Sequence, residues 1–495
     1  MECRPGMALN KRHLIFLFAI GLGLKLYAFS QIYMISLDGA FQYIPVAKLF
    51  YQGEYLKALI QPQLPLYPFL IGMSSHITGS FELSGQLISM FFSLLAAFPL
   101  YLIGKSLFGP RPAFWATVLY LIHPLMLQSS VDVLKEGLFV FLFFSSVYCS
   151  LRFLEEGKPT WLLWTAVFAA GGASVRLNTL LVLVVMGAWL GYRLIRHGGL
   201  REKKLDYRYL CRVVPIFVAG AILVFAVIWG WDFLTTKKGY GLAQDFFNKW
   251  FGYQRLDLLR VGLQCLSIVG RFIEKAYPLP FLLTLFGVGW RIKAKEFSDE
   301  EKYLALLIAA FIVTFFPLLY ASGRYHLPGI ILSYLWAGFG FVKIWELIDK
   351  RFTRYGKATA VISVMILLGS ILPLSLQPQR LDKIGRKEVG LWLREHTLTP
   401  PIILTDDPRV AYYAGGAYVT IPLAVTPLKI VNMGIEKGVD YLVIEEKGTE
   451  VSDTFTPFEQ QGDLKLVYRH PYGNKGKVIF VYKIRKQMGN PRKAS

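Results

Sequence analysis

Charge is scarce in this chain, and acid is scarcer than base. Only 18% of its 495 residues are charged, with 33 Asp and Glu against 54 Lys and Arg. A soluble protein of this length carries more charge and fewer long apolar runs. Cysteine is rarer still. Cys3, Cys149, Cys211 and Cys265 form no CxxC pair and show no metal-ligand spacing, so they give no redox or zinc signature and read as small hydrophobes. The chain also has no repeat of solenoid period and no glycine loop for a nucleotide.

In place of charge there is apolar surface: 54% of residues are hydrophobic and 15% aromatic. Stretches near the ~20 residues needed to cross hydrocarbon recur along the chain, which reads as a polytopic α-helical membrane protein. We place about eleven spans, at 13–31, 85–104, 112–128, 136–154, 160–175, 178–196, 212–232, 277–293, 303–320, 328–347 and 358–376. The first lacks a small-residue cleavage site and is followed by others, so it is not read as a signal peptide.

The net charge of +21 suggests nucleic acid in a soluble protein, but a bilayer explains it here, and no nucleic-acid partner is expected. Lys and Arg collect in alternate loops. Arg4, Lys11 and Arg12 precede the first span, and Arg201, Lys203, Lys204 and Arg208 follow the sixth. Arg291, Lys293, Lys295 and Lys302 follow the eighth, and Lys350, Arg351, Arg354 and Lys357 the tenth. All fall on one side if the spans are as placed. That side is the cytoplasm, which implies an inner-membrane protein with a cytoplasmic N-terminus. The opposite, periplasmic side receives the loops 32–84 and 233–276, the short turns near Ser129–Lys135, Arg176 and Ala321–Leu327, and the tail after about residue 377.

That tail has ordinary soluble composition. Gly385–His396 carries apolar residues at helical spacing, and Ile402–Thr405, Tyr441–Ile444, Leu464–Tyr468 and Val478–Ile484 read as strands between Gly, Pro and Asp turns. We therefore expect a small external α/β domain over 378–495, beside a transmembrane module over 1–377.

The external segments hold the chain's few informative polar groups. Asp38 stands alone in Ser36-Leu37-Asp38-Gly39-Ala40-Phe41-Gln42-Tyr43, just beyond the first span. It reads as a solvated loop acid, a helix cap or a functional carboxylate. Asp132, Lys135 and Glu136 sit where the fourth span begins; Asp132 suits a cap, and Glu136 lies deeper, where charge is costlier. Lys135 suits snorkelling or a lipid phosphate. Arg176 lies between apolar runs with no acid nearby, as an interfacial anchor or a phosphate clamp. Arg324, Tyr325 and His326 share one short turn, with the same two readings. His123, before Pro124, reads as a packed histidine rather than a ligand. Lys237, Lys238, Arg255 and Arg260 form no tight cluster and read as solvated.

Several of these segments together resemble a known group. Asp38-Gly39-x-x-x-Tyr43, Ala47, Gly53-Glu54-Tyr55 and Pro65-Leu66-Tyr67-Pro68 resemble the first external loop of GT-C glycosyltransferases. The nearest likeness is to protein O-mannosyltransferases, aminoarabinose lipid A transferases and rhizobial-type lipopolysaccharide glycosyltransferases. The likeness extends through His123-Pro124, Glu136, Arg176 and Gly323-Arg324-Tyr325-His326-Leu327-Pro328, and into the tail at Trp392-Leu393, Tyr412-Tyr413-Ala414 and Asp440-Tyr441-Leu442.

The resemblance implies a GT-C fold and transfer of a sugar from a polyprenyl-phosphate carrier to a glycan, lipid or protein acceptor. It implies Asp38 as base or acceptor-orienting group, with Glu136 or Asp132 as a second acid. Arg324, Arg176, His326 and Lys135 would hold the donor phosphate, and Tyr43, Tyr67 and Tyr325 would contact substrate. Many members carry an acidic pair in the first loop. Here Gly39 stands beside Asp38, which leaves a divalent metal an open question. The alternatives are a transporter or flippase for lipid-linked sugars, which would show repeated halves that are not found here, and a polymerase or ligase, which centres on a large late external loop, whereas the longest early loop here lies between the first two spans.

Overall fold

The computed structural model describes residues 11–196, 258–314, 323–351, 356–422, 425–447, 454–472 and 476–485. The chain divides into two compact units, one of Met1–Ser30 with Val46–Gln377, the other of Gln31–Pro45 with Pro378–Ser495.

The first unit is helical. In chain order the helices are α1 Lys11–Ser30, α2 Ile44–Tyr51, α3 Tyr55–Leu59, α4 Leu66–Thr78, α5 Phe81–Leu95, α6 Ala97–Phe108, α7 Pro110–Ile122 and α8 Pro124–Ser130. There follow α9 Glu136–Glu156, α10 Pro159–Ala173, α11 Leu181–Arg196, α12 Leu258–Ala276, α13 Pro278–Lys293, α14 Asp299–Val313, α15 Leu327–Arg351 and α16 Gly356–Ser375. Among the described residues, four stretches are long and apolar enough to cross a membrane: Lys11–Ser30, Phe81–Phe108, Glu136–Glu156 and Gly323–Arg351.

Local chemistry sets the helix ends. Pro110, Pro124, Pro159 and Pro278 sit in first turns, where a missing N–H costs nothing. Ser298 and Glu301 form a reciprocal capping box at the start of α14. His123 interrupts the expected span 112–128. Its Nδ1 accepts from the Met126 amide at 3.3 Å, and its Nε2 lies 3.0 Å from the Lys275 carbonyl. It is the packed, hydrogen-bonded histidine expected. Helix α15 is the unit's buried axis: every residue from Leu327 to Gly338 is buried. A side chain at Gly340 would meet the Leu283 carbonyl at 2.4 Å, and one at Gly287 the Trp336 carbonyl at 2.2 Å. The backbones of α13 and α15 thus touch through glycine, as membrane helices do where small residues meet.

The span at 212–232 lies outside the described residues. Residues 233–276 were expected to be a loop, but 258–276 form α12. Leu266, Val269 and Ile273 are exposed while Ile268 and Ala276 are buried. Such an amphipathic helix lacks the uniform apolarity that marks a span.

The second unit is a five-stranded sheet of order β2-β1-β3-β5-β4, with β1 Ile402–Thr405, β2 Ala417–Thr420, β3 Tyr441–Lys447, β4 Leu464–Tyr472 and β5 Lys477–Ile484. β1 runs parallel to β2 and β3; β5 is antiparallel to β3 and β4. Helices α17 Ile384–His396 and α18 Arg409–Ala414 cover one face, packing Val389, Leu393 and Val410 on Ile403 and Val481. α19 Pro427–Glu436 covers the other, with Ile430 and Val431 on Leu442 and Phe480. The α/β character read from the tail is present; β2, α18 and α19 are elements beyond those expected from the sequence.

Candidate active site

The acid-bearing turn at Asp132–Glu136 is tightly constrained. A side chain at Gly137 would lie 2.3 Å from the Ser89 carbonyl, so glycine lets the start of α9 press directly onto α5. Ser89 Oγ donates to the Leu134 carbonyl at 2.7 Å and lies 2.8 Å from the Tyr67 hydroxyl, which is 3.2 Å from the Gly85 carbonyl. Tyr67 is fully buried, so it holds this turn in place from within the protein. Burial raises its phenol well above the ordinary value, and the charges of Asp132 and Glu136 push the same way.

Both carboxylates on this turn are out of water. Asp132 is buried, and its Oδ1 accepts from the Val133 amide at 2.7 Å. Lys135 occupies the N-cap position of α9. Glu136 is the first residue of α9 and is also buried.

The cations come from distant parts of the chain. Arg324 lies in the 3₁₀ turn Gly323–His326, with Nη1 3.7 Å from Glu136 Oε1. Arg176 follows α10 in an extended conformation, fixed by Thr179, whose amide and hydroxyl both bond the Arg176 carbonyl. Its guanidinium is buried, 4.3 Å from the centre of the Tyr325 ring and 5.1 Å from that of Phe139. Each contact is a cation–π arrangement of useful strength in a dry setting. The structure thus gathers Glu136, Arg324, Tyr325 and Arg176. Two buried atoms there, Glu136 Oε2 and Arg176 Nη1, have no hydrogen-bond partner among the described residues. Buried polar atoms are nearly always bonded, so such orphans call for an explanation.

α12 adds a residue not expected from the sequence. Its last turn is tied down by the His123 contact to the Lys275 carbonyl and by the Tyr334 hydroxyl, which donates to the Ala276 carbonyl at 2.9 Å. This lays the Lys275 side chain against Gly323, where a β-carbon would lie 2.9 Å from Lys275 Cε. Lys275 therefore stands beside the Arg324 turn, paired with Glu274 at 2.5 Å. His326 is buried, edge-on to Phe272 of α12. Tyr277, at the hinge between α12 and α13, holds φ 62° without being glycine. Such backbone strain concentrates at functional sites.

Asp38 belongs with the second unit. It precedes a π-helical turn, Gly39–Tyr43, and its side chain makes no capping bond, so the simple cap is not what it does. Single π turns occur often at functional sites. Gly39 and Tyr43 are buried, Asp38 half-buried. The tail holds this segment: the Tyr413 hydroxyl accepts from the Ile35 amide at 3.1 Å, Arg380 donates to the Met34 carbonyl at 2.9 Å, and Phe41 meets Tyr418 edge-on at 5.2 Å. Among the described residues no three His, Cys, Asp or Glu side chains group to hold a metal ion.

Comparison with known proteins bears on the class. A family model described as dolichyl-phosphate-mannose-protein mannosyltransferase matches residues 61–231. No curated protein matches the chain. Among solved structures, ArnT from Cupriavidus metallidurans bound to undecaprenyl phosphate is similar, with TM-score 0.61 and 13% identity over 96% of this chain and 98% of that one. The oligosaccharyltransferase AglB from Archaeoglobus fulgidus, in complex with an inhibitory peptide and a dolichol-phosphate, gives 0.57 and 12% over 88% and 69%. The mycobacterial arabinofuranosyltransferase AftD gives 0.52 and 14%, over 97% of this chain and 42% of that one. At these identities the likeness is one of fold, which this chain shares with ArnT, AglB and AftD.

Proposed function

We propose that this protein is an integral-membrane glycosyltransferase. It moves a sugar from a polyprenyl-phosphate carrier to the hydroxyl of a glycan, lipid or protein acceptor on the external face of the inner membrane. The observation that carries this reading is the buried Arg176 guanidinium, its Nη1 without a hydrogen-bond partner among the described residues, stacked on Tyr325 next to the Arg324–Glu136 pair. The GT-C fold and the mannosyltransferase family match support the donor class.

The chemistry follows from charge. The donor's phosphodiester carries one negative charge and gains a second as its bond to the anomeric carbon breaks. Arg324 and Arg176 meet that growing charge with planar, bidentate donors, which strengthens their hold at the transition state. Glu136 aims Arg324, and Lys135, Lys275 and His326 add polar surroundings. Asp38 takes the proton from the acceptor hydroxyl while its oxygen forms the new bond to the anomeric carbon; the electron pair of the broken bond leaves on the phosphate. A single displacement of this kind inverts the anomeric configuration. Tyr43, Tyr67 and Tyr325 shape the site, Tyr67 by positioning the acid turn.

The test is transfer by the purified full chain from a radiolabelled polyprenyl-phosphate sugar to membrane extract. Label should appear in acceptor with wild type and fall to background with Asp38→Asn. Absence of transfer by wild type overturns the enzyme reading; undiminished transfer by Asp38→Asn removes Asp38 as base. A product that keeps the donor's anomeric configuration excludes single displacement.

A further inference from the structure

A second polar site lies at the other end of the helical unit. A cavity of about 280 Å³ opens between the end of α6, the start of α7 and the last turns of α15, lined by Phe108, Arg111, Phe339, Val342, Lys343 and Glu346 among others. Phe339 to Glu346 lie 12 to 19 residues beyond Leu327 along α15, or roughly 18–29 Å at 1.5 Å per residue. That is close to the ~30 Å thickness of bilayer hydrocarbon. The cavity therefore sits at the membrane surface opposite the Arg324 turn, on the side where the basic loops collect.

Its charges are not equally committed. Arg291 crosses the outer rings of Phe108 and Phe339, 5.6 Å from each, but its guanidinium is held by buried Glu301 and by Glu296. Glu301 also accepts from Trp336 Nε1 at 3.1 Å, so this pair is closed. Lys343 is shared between Glu346 at 3.0 Å and the face of Trp290 at 5.3 Å. Arg111 is exposed and makes no hydrogen bond or ion pair with a described residue. It stands at the N-terminus of α7, whose dipole adds positive charge. The result is an apolar slot of aromatic and aliphatic walls with a cationic rim, smaller than a drug-sized pocket.

We propose that this cavity binds the headgroup of an anionic glycerophospholipid, its phosphate on Arg111 and Lys343 and its glycerol and upper chain against Phe108, Phe339 and Val342. Apolar walls exclude a freely hydrated phosphate as the natural occupant, and the cationic rim selects a net negative headgroup over a zwitterionic one. This site is independent of the transferase reading.

Native mass spectrometry of the full chain tests it, with phosphatidylglycerol, phosphatidylcholine of the same chains and inorganic phosphate as probes. Wild type should retain phosphatidylglycerol roughly 30-fold more tightly than the double variant Arg111→Ala, Lys343→Ala, at about fivefold per surface cation. Phosphatidylcholine should bind no better to wild type than to the variant. Glu346→Gln leaves the cavity and the cations in place and should tighten phosphatidylglycerol. Equal retention by wild type and the double variant overturns the proposal, as does equal binding of both lipids. So does displacement of the lipid by millimolar phosphate, or unchanged retention in Glu346→Gln should the double variant fail to fold.

Discussion

Two regions of this protein gather arginine and carboxylate away from water, and they do so in opposite ways. In the tail, Arg386 bonds Asp407, reaches Asp406 at 3.4 Å and bonds Glu445 at 2.7 Å. Arg409 closes on Asp407 from the other side, and Lys477 completes Glu445 at 2.8 Å. In the helical unit, one buried Glu136 faces Arg324 at 3.7 Å, Arg176 lies on an aromatic ring, and an oxygen and a nitrogen are left over. The tail network answers each charge with another and has no vacancy for a ligand. The helical cluster keeps hydrogen-bonding capacity in reserve, with more positive than negative charge. Charge out of water is informative when its partners are incomplete.

The comparison breaks most visibly at Asp407. Removing one member of a closed buried network strands the rest, which costs about 3–5 kcal/mol. Asp407→Asn should therefore lower the thermal midpoint of the tail's unfolding, followed by tail-specific proteolysis, while binding of a polyprenyl phosphate is unchanged. Arg324→Ala should do the reverse. We expect transfer to fall by about 10²–10³, as for loss of one charge-stabilising donor, with proteolysis of the tail unaffected.

A pH titration sharpens the same contrast. Burial opposes the charge on Asp407, but hydrogen bonds and charge from Arg409, with the charge of Arg386, hold its pKa down from 3.8 to about 2. A depressed carboxyl stabilises the fold above its unfolded pKa and loses that contribution as pH falls through the folded one. The tail should lose on the order of 2 kcal/mol between about pH 4 and pH 2, and Asp407→Asn should flatten that slope in acid unfolding monitored by circular dichroism.

The smallest expected effect concerns the Asp38 segment. Tyr413→Phe removes the hydroxyl that accepts from the Ile35 amide, a loss near 1 kcal/mol. It should reduce kcat about fivefold without changing KM for donor. A fall in tail stability with kcat intact would make Tyr413 a packing residue alone.

Much of this was legible in the sequence, and the remainder failed for identifiable reasons. Long apolar runs marked α1, α9 and α15, because hydrocarbon admits little else. Asp38, Glu136, Arg176 and Arg324 stood out as rare charges beside such runs. What spacing along the chain cannot carry is that Arg176 would lie on Tyr325, or that residues 31–45 would pack with the tail through Tyr413 and Arg380. α12 escaped because its apolar residues occupy one face, and with it went Lys275. β2 escaped because Ala417–Thr420 is a short edge strand with no buried residue to set a pattern.

The central claim is that Arg176, whose Nη1 has no hydrogen-bond partner among the described residues, is a receptor for the donor phosphate. Its most direct test is equilibrium binding of a polyprenyl phosphate to the purified full chain, wild type against Arg176→Lys, which keeps the charge but loses the planar fork and the stacking on Tyr325. The account predicts at least about tenfold weaker binding in the variant, the equivalent of one charge-assisted bond. Equal affinity, in a variant that retains its fold, would contradict it.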